Sequence, residues 1–294
     1  MKSDQSIIKK ADEWAVSVWQ KALTRWSVRS GQDKSYRWHV AHPAVVDIMS
    51  KRRHNRGLRI LDLGCGDGII LDDPKFRELI GDDGAYLGVD VSDKLLEIAR
   101  DRLTDENISF IRGNLSDPDI ARRIIEKGIA WDVLLSVYVI QELPDIESFI
   151  MNLAKLVQTS AYVIIVTVHP DFAGWLKQTG SLKLEENLTS SNEQETSSWR
   201  WAGYYPIVDE PNDTFSLPHF HRTVGDYRSL LGKSGFVVDK ILELPDKQRD
   251  LPQLVKQGFS PFSQFENNVY WPRIGEEPSA LAIISRKETV SGQE

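Results

Sequence analysis

The chain lacks most of what would mark it as secreted, metal-bound, membrane-spanning or nucleic-acid-bound. Among its 294 residues there is one cysteine, which excludes an intrachain disulfide. Cys65 and the 6 histidines fall at no zinc-ligand spacing, so no metal is expected. Acidic residues outnumber basic ones, 43 to 36, for a formal net charge of −7. No global positive field therefore draws the chain to nucleic acid or anionic lipid. The local basic clusters, Lys51-Arg52-Arg53 with Arg56 and Arg122-Arg123, read as solvated helix faces. The longest apolar run, Ala161 to Val168, is far too short to span a bilayer. The opening residues Met1-Lys2-Ser3-Asp4-Gln5 are polar and carry no signal-peptide core, which makes a cytoplasmic, reducing location the default expectation.

What is present begins with the run Ile60-Leu61-Asp62-Leu63-Gly64-Cys65-Gly66-Asp67-Gly68. An apolar strand runs into three glycines at alternate positions, where the chain can turn sharply and leave its backbone open to a ligand. A second apolar strand, Ala85 to Val89, ends in Asp90. Strand, glycine loop, helix, strand and terminal acid is the logic of a nucleotide-binding βαβ unit, with the acid placed for ribose hydroxyls. Here the glycines read G-x-G-x-G, not the dinucleotide pattern G-x-G-x-x-G.

Around this unit the sequence alternates. Strands are predicted at 58–63, 85–90, 107–112, 131–137 and 161–168, and helices at about 69–81, 92–103, 116–128 and 145–158. Val-, Ile- and Leu-rich strands alternating with helices imply a parallel sheet covered on both faces. Before the unit, residues about 5 to 26 carry Ile8, Trp14, Val18, Trp19, Leu23 and Trp26 at helical spacing. Either this helix packs against the domain or it closes over a substrate. A second helix is predicted from Trp38 to His54. After the fifth strand, 169–222 reads as a long irregular insertion, polar at 181–198 and then aromatic; its length and aromatic content suggest a lid. A helix from Thr223 to Lys233, a strand from Phe236 to Leu244, a second insertion at 245–278 and a last strand from Ser279 to Ser285 complete the chain. The expected organisation is an N-terminal helical cap (1–56), a core (57–168), the lid (169–222) and a C-terminal part of the core (223–294).

With these elements in place, the chain resembles the class I S-adenosylmethionine-dependent methyltransferases, whose first motif has the form hh-D/E-hGxGxG. The resemblance covers about 35 to 290 and implies an α/β, Rossmann-like sheet of seven strands, mostly parallel with an antiparallel last strand. Tyr36-Arg37-Trp38-His39-Val40-Ala41-His42-Pro43 and His221-Arg222-Thr223-Val224-Gly225-Asp226-Tyr227 are similar to segments of small-molecule methyltransferases of the ubiquinone-biosynthesis and natural-product type. His42 stands where that group commonly has Asn, and Thr223 where it has Pro.

The resemblance implies S-adenosylmethionine as cofactor and a set of contacts for it. Gly64, Gly66 and Gly68 give close backbone approach, with Cys65, Asp67 and Tyr36 lining. Asp62 meets the methionine amino group or else caps the loop. Asp90 accepts from the ribose hydroxyls, with Val91 beside it. Asn114, followed by Leu115, contacts the adenine amino group, caps a helix, or both. Ser136 and Val137 contact the cofactor through backbone. Ligands in such sheets sit at the carboxyl ends of strands, so Ser136, Tyr138 and Gln141 face the site. The end of the fourth strand lacks the Asn/Asp-Pro-Pro-Tyr motif of enzymes that methylate base amines. Trp19, Tyr138, His169, Trp201, Tyr204, His219 and His221 are candidates for the acceptor pocket. His221 and then His169 are the candidate general bases, since imidazole titrates near neutrality. The leading expectation is methyl transfer to a small aromatic or amphipathic metabolite, with no nucleic-acid or membrane partner. The competing expectations are a macromolecule methyltransferase and a non-catalytic cofactor-binding scaffold.

Overall fold

The computed structural model describes residues 2–21, 37–51, 55–186, 188, 199–210, 213–245 and 278–288. Tyr36 and nearly all of the expected insertion at 245–278 lie outside them. The seven-stranded sheet is built from β1 (Arg59–Leu63), β2 (Ala85–Asp90), β3 (Ile108–Arg112), β4 (Val133–Val137), β5 (Tyr162–Val168), β9 (Phe236–Leu244) and β10 (Ala280–Lys287). Its order is β3-β2-β1-β4-β5-β10-β9. Only β10 runs antiparallel, pairing with β5 on one side and β9 on the other. The α/β Rossmann-like sheet expected from the sequence is thus observed.

The central strands β1, β2, β4 and β5 are buried on both faces, which is why they are almost continuously apolar, whereas the edge strands β3 and β9 carry exposed polar positions. On one face α2 (His42–Ser50) and α3 (Pro74–Ile80) pack with Leu58, Ile60, Tyr86 and Ile164. On the other, α5 (Pro118–Ile125), α6 (Ile146–Leu156) and α8 (Val224–Lys233) pack with Leu61, Leu87, Leu134 and Ile165. α4 (Asp93–Arg102) follows β2, N-capped by Ser92, whose hydroxyl accepts from the Leu95 N–H at 3.4 Å. The predicted helix at 69–81 is broken. A 3-10 turn, Ile69–Asp72, ends where Asp73 caps the Lys75 and Phe76 N–H groups and Pro74 restarts the chain as α3.

The region read as an irregular insertion is largely regular. It holds α7 (Pro170–Gln178), the short β6 (Lys183–Leu184) and a long hairpin, β7 (Trp201–Glu210) with β8 (Asp213–His221). α1 (Lys2–Lys21) lies against this hairpin, where Ala11 and Ala15 bury with Trp199, Ala202 and Phe220. Residues 22–26 of the predicted first helix and 52–54 of the second lie outside the described residues. The second begins as a π turn, Arg37–Ala41, and continues as α2.

Candidate active site

The carboxyl ends of β1, β2, β3 and β4 meet the glycine loop and α1 at one edge of the sheet. The loop is held from β2. Gly64 and Cys65 N–H groups donate to the Val89 carbonyl at 2.7 and 3.0 Å. Gly66 N–H donates to Asp90 Oδ2 at 2.8 Å, and Ser92 N–H to Asp90 Oδ1 at 2.9 Å. Val91 N–H bonds the same carboxylate. Asp90 is therefore a backbone clamp as well as the expected ribose acceptor, and the Asx turn that would be its plain structural role is present. A carboxylate accepts about four bonds, so these three leave about one for a ribose hydroxyl.

Gly64, Gly66 and Gly68 all have positive φ, at 86°, 57° and 69°. A Cβ on Gly64 would stand 2.2 Å from a methyl of Val139, whereas one on Gly66 would meet nothing nearer than 4.0 Å. Gly66 thus lines open space, a cradle that a bound molecule can enter. Cys65 is buried and its thiol is pushed well up by desolvation, so it lines the loop as an inert group.

The electrostatics of this edge are unusual for a fold interior. Asp62, Asp67, Asp90 and Glu142 are all buried, and Arg37 stands half-buried among them with its Nη2 enclosed. Tyr86 Oη donates to Asp62 Oδ2 at 2.6 Å, yet burial still pushes the Asp62 carboxyl up to about 7. Burial also raises Asp90, and Glu142 more strongly. Arg37 is held below its ordinary value by burial, with Asp67, Asp62 and Glu142 opposing. Its Nη2 has no hydrogen-bond partner among the described residues; the nearest acid, Asp67 Oδ1, lies 3.8 Å away. Ser136 Oγ is likewise buried with no partner among them. A cluster of four acids, one cation and two unmatched donors suits a ligand bearing a carboxylate beside cationic groups. S-adenosylmethionine carries an ammonium, a sulfonium and one carboxylate, and the cradle at Gly66 gives it entry. The residues fit the group.

Arg37, Glu142 and Asp12 were not singled out from the sequence. Arg37 stands in the quoted Tyr36-Arg37 pair, which was the available signal. Asp12 and Glu142 become site residues only through α1. Asp12 Oδ2 accepts from Asn114 Nδ2 at 2.8 Å, and Trp19 hydrogen-bonds Glu142. Trp19 therefore reaches the acid cluster, and the first helix packs against the domain at this edge. The helix cap expected of Asn114 falls instead to Asp117, and Asn114 closes an Asx turn, its Oδ1 accepting the Ser116 N–H at 3.0 Å.

Other expected contacts are placed differently. Gln141 is pinned between Thr167 Oγ1 (2.9 Å) and Glu142 (3.2 Å), bracing β5 and the turn at Ile140–Glu142. Leu115 is buried in the core, its carbonyl accepting from Asn152 Nδ2 at 3.0 Å. Val137 packs against the core, and Tyr138 follows it at φ 55°, a strained value for a non-glycine residue at a site edge.

The acceptor candidates divide by the pleat of the hairpin. Trp201 pairs with His221 and Gly203 with His219, which puts these side chains on one face together with Tyr205. Trp201 stacks on His221 at 4.5 Å and 13°, and Tyr205 Oη lies 3.3 Å from His219 Nδ1. Tyr204 belongs to the opposite face with Ala202 and Phe220, so it is separated from the pocket side by strand alternation. A groove of about 470 Å³ runs between α7 and the hairpin, lined by Trp175, Lys177, Gln178, Trp201 and His221. His221 Nε2 lies 3.3 Å from the Pro170 carbonyl, which makes Nε2–H the donor and leaves the lone pair on Nδ1. Nδ1 is buried with no partner among the described residues, and burial lowers the His221 pKa. His219 is driven to about 3 by burial and stays neutral. His169 is an N-cap: its Nδ1 accepts the Asp171 N–H at 3.2 Å, and Nε2 faces Glu243 at 4.0 Å. Its accepting nitrogen is committed to α7, which removes it as second choice for a base.

Arg222 fastens this face to the cofactor edge. Its guanidinium is fully buried and donates to the carbonyls of Ile140 (3.1 Å), Phe220 (3.2 Å), Leu143 (2.7 Å) and Pro144 (3.2 Å).

Comparison with known proteins agrees with this geometry. A family described as a methyltransferase domain matches residues 61–163, from β1 to the start of β5. A ubiquinone biosynthesis O-methyltransferase of Bartonella bacilliformis is 26% identical over 119 residues, 40% of this chain and 44% of that protein. The matched part spans only 42% to 55% of the length of such curated relatives. Among solved structures, a putative S-adenosylmethionine-dependent methyltransferase of Listeria monocytogenes superposes with a TM-score of 0.52 at 20% identity, covering 84% of this chain and 97% of that one. A chain from the Haloferax volcanii complex between the Trm112 methyltransferase activator and a putative methyltransferase gives 0.57 at 14% identity, covering 94% and 100%. At these identities the structural likeness is one of fold. Among the described residues no cluster of metal ligands occurs, and no helix is long and apolar enough to cross a membrane.

Proposed function

We propose that this chain, a class I S-adenosylmethionine-dependent methyltransferase by fold and domain, transfers a methyl group to oxygen or nitrogen of a small, aromatic or amphipathic metabolite. The observation that carries the cofactor reading is Arg37, a buried guanidinium with an unmatched Nη2 set among Asp62, Asp67 and Glu142. A buried cation with a free donor calls for a carboxylate, and buried acids beside it call for a cation; an amino-acid moiety presents both.

When bound, S-adenosylmethionine supplies a methyl already activated on a sulfonium. The chain's own residues have three tasks. Arg37 and Asp62 hold the carboxylate and ammonium, and Asp90 receives a ribose hydroxyl on its remaining lone pair. α1, tied down through Asp12 and Trp19, covers the edge and keeps water out. Orientation of the acceptor then makes a bimolecular step effectively unimolecular, which is where most of the rate arises. His221 takes a proton at Nδ1 when the acceptor arrives protonated, because its Nε2–H is anchored on Pro170.

The groove beside Trp175 and Trp201 supports an aromatic acceptor, with Lys177 and Gln178 for its polar groups. The name of the ubiquinone-biosynthesis relative supports oxygen as the acceptor atom. The test is turnover: S-adenosylmethionine with a panel of phenols, catechols and aromatic amines, following S-adenosylhomocysteine by mass spectrometry. Product with a phenol or amine supports the reading. Tight cofactor binding with no product from any pool would leave a non-catalytic binder.

A further inference from the structure

The pocket edge contains an acid that comes from outside the nucleotide-binding unit. Following the sheet order β1, β2, β3, the strand ends carry Asp62, Asp90 and then the Gly113-Asn114 turn. An amino acid held at Arg37 and Asp62 and a ribose held at Asp90 direct an attached base toward the third of these, beside Asn114. At that point Asn114 keeps one lone pair on Oδ1 for a base amino group. Its oxygen accepts the Ser116 N–H at 3.0 Å, and its amide donates to Asp12 Oδ2 at 2.8 Å. Asp12, which that amide orients, adds a charged and therefore stronger acceptor beside it.

Asp12 is an odd residue for its place. It lies in the middle of α1, far from either end, where an aspartate disfavours helix and caps nothing. The neighbouring acids serve their own helices: Asp117 accepts the Asp119 N–H at 2.9 Å and Asp145 the Ser148 N–H at 3.0 Å, each as a helix N-cap. Among the described residues Asp12 has only the Asn114 amide, which fixes Oδ2 and leaves Oδ1 as an acceptor. The charges acting on it, Asp145, Glu13 and Asp117, are all acidic, and with burial they push its carboxyl up. A neutral donor from a ligand would relieve this. Ala15 and Trp19 share its stripe of the helix, the one packed on the hairpin and on Glu142.

Resting on the cofactor reading above, we propose that Asp12 of the N-terminal helix, oriented by Asn114, accepts the exocyclic amino group of the cofactor's adenine. The helix thereby contributes a base-selecting residue to the cofactor site.

The test is calorimetric titration of wild type, Asp12→Ala and Asp12→Asn with S-adenosylhomocysteine and with S-inosylhomocysteine, whose base carries a carbonyl in place of the amino group. Wild type should prefer the adenosyl ligand. Asp12→Ala should lose roughly ten- to a hundredfold in affinity for it, the worth of one hydrogen bond to a charged group, and bind the inosyl ligand unchanged. Asp12→Asn turns an amide donor toward the base and should reverse the preference, which loss of packing cannot imitate. Equal weakening of both ligands by both variants would make Asp12 a docking residue only and overturn the proposal, as would unchanged binding. Failure of wild type to bind S-adenosylhomocysteine would instead overturn the cofactor reading itself.

Discussion

Replacement of Arg37 by methionine separates a binding cation from a structural one. The guanidinium is buried and Nη2 donates to nothing among the described residues, so the folded chain gains little from it. Two of the acids around it, Asp62 and Glu142, have carboxyls raised by burial and hold protons readily. Folding stability in Arg37→Met should therefore change by no more than about 1 kcal/mol, because removing an unmatched donor offsets the lost attraction. Cofactor affinity should change far more. Two charge-assisted hydrogen bonds to a carboxylate contribute about 3 kcal/mol or more together, which is about a hundredfold in affinity. The assay is calorimetric titration with S-adenosylhomocysteine alongside 5′-methylthioadenosine, which lacks the amino-acid moiety. The first ligand should weaken about a hundredfold, and the second should bind both proteins alike. Arg37→Lys should recover only part of the loss, since an ammonium does not present the planar fork. If both ligands weaken together, or neither does, Arg37 does not hold the carboxylate.

Stability should also respond to pH through Asp62. The unfolded carboxyl titrates near 3.8 and the folded one at about 7, so between these values the folded chain keeps a proton that the unfolded chain has lost. Stability must then fall as pH rises through that window, by at most about 4 kcal/mol for a gap of about 3 units. Urea unfolding at pH 5 and pH 8 should show the fall in wild type and a flatter response in Asp62→Asn; parallel responses would contradict it. Arg222→Met strands the carbonyls of Ile140, Phe220, Leu143 and Pro144 and should cost roughly 3–5 kcal/mol, read as a lower urea midpoint. His221→Ala should lower kcat by about 10²–10⁴ while leaving KM for the acceptor nearly unchanged, and should remove an acidic limb lying below the usual histidine range. A raised KM with an unaltered pH profile would make His221 a pinning residue.

The nucleotide-binding unit was legible because each of its signals is local. Ile60 to Gly68 carries strand and loop in nine consecutive letters, and the run to Asp90 carries the clamp. The helix break at Asp73-Pro74 was equally local and was missed only because the apolar spacing runs across it. The hairpin at 201–221 was not legible. One of its faces is covered, Ala202 and Phe220 by α1, and the other opens on the groove beside α7 through Trp201 and His221, so aromatics fall on alternate and adjacent positions and no period of two survives. Tyr204 was grouped with Trp201 for the same reason, since proximity in sequence says nothing of which face a strand residue takes. Arg37, Glu142 and Asp12 become site residues only through contacts between distant elements: Asp12 meets Asn114, and Trp19 meets Glu142, across the width of the domain. His169 shows the converse. A histidine directly after a strand looked poised for chemistry, and the backbone of α7 claims its free nitrogen.

The account stands or falls on where the cofactor binds. A crystal structure of the complex with S-adenosylhomocysteine tests that directly. The account predicts the carboxylate on Arg37, the ammonium at Asp62, a ribose hydroxyl on Asp90 and the base at the Asn114 edge beneath α1. Density for the ligand away from the Gly64–Gly68 loop, or a ligand in the loop that leaves both Arg37 and Asp90 untouched, would contradict it.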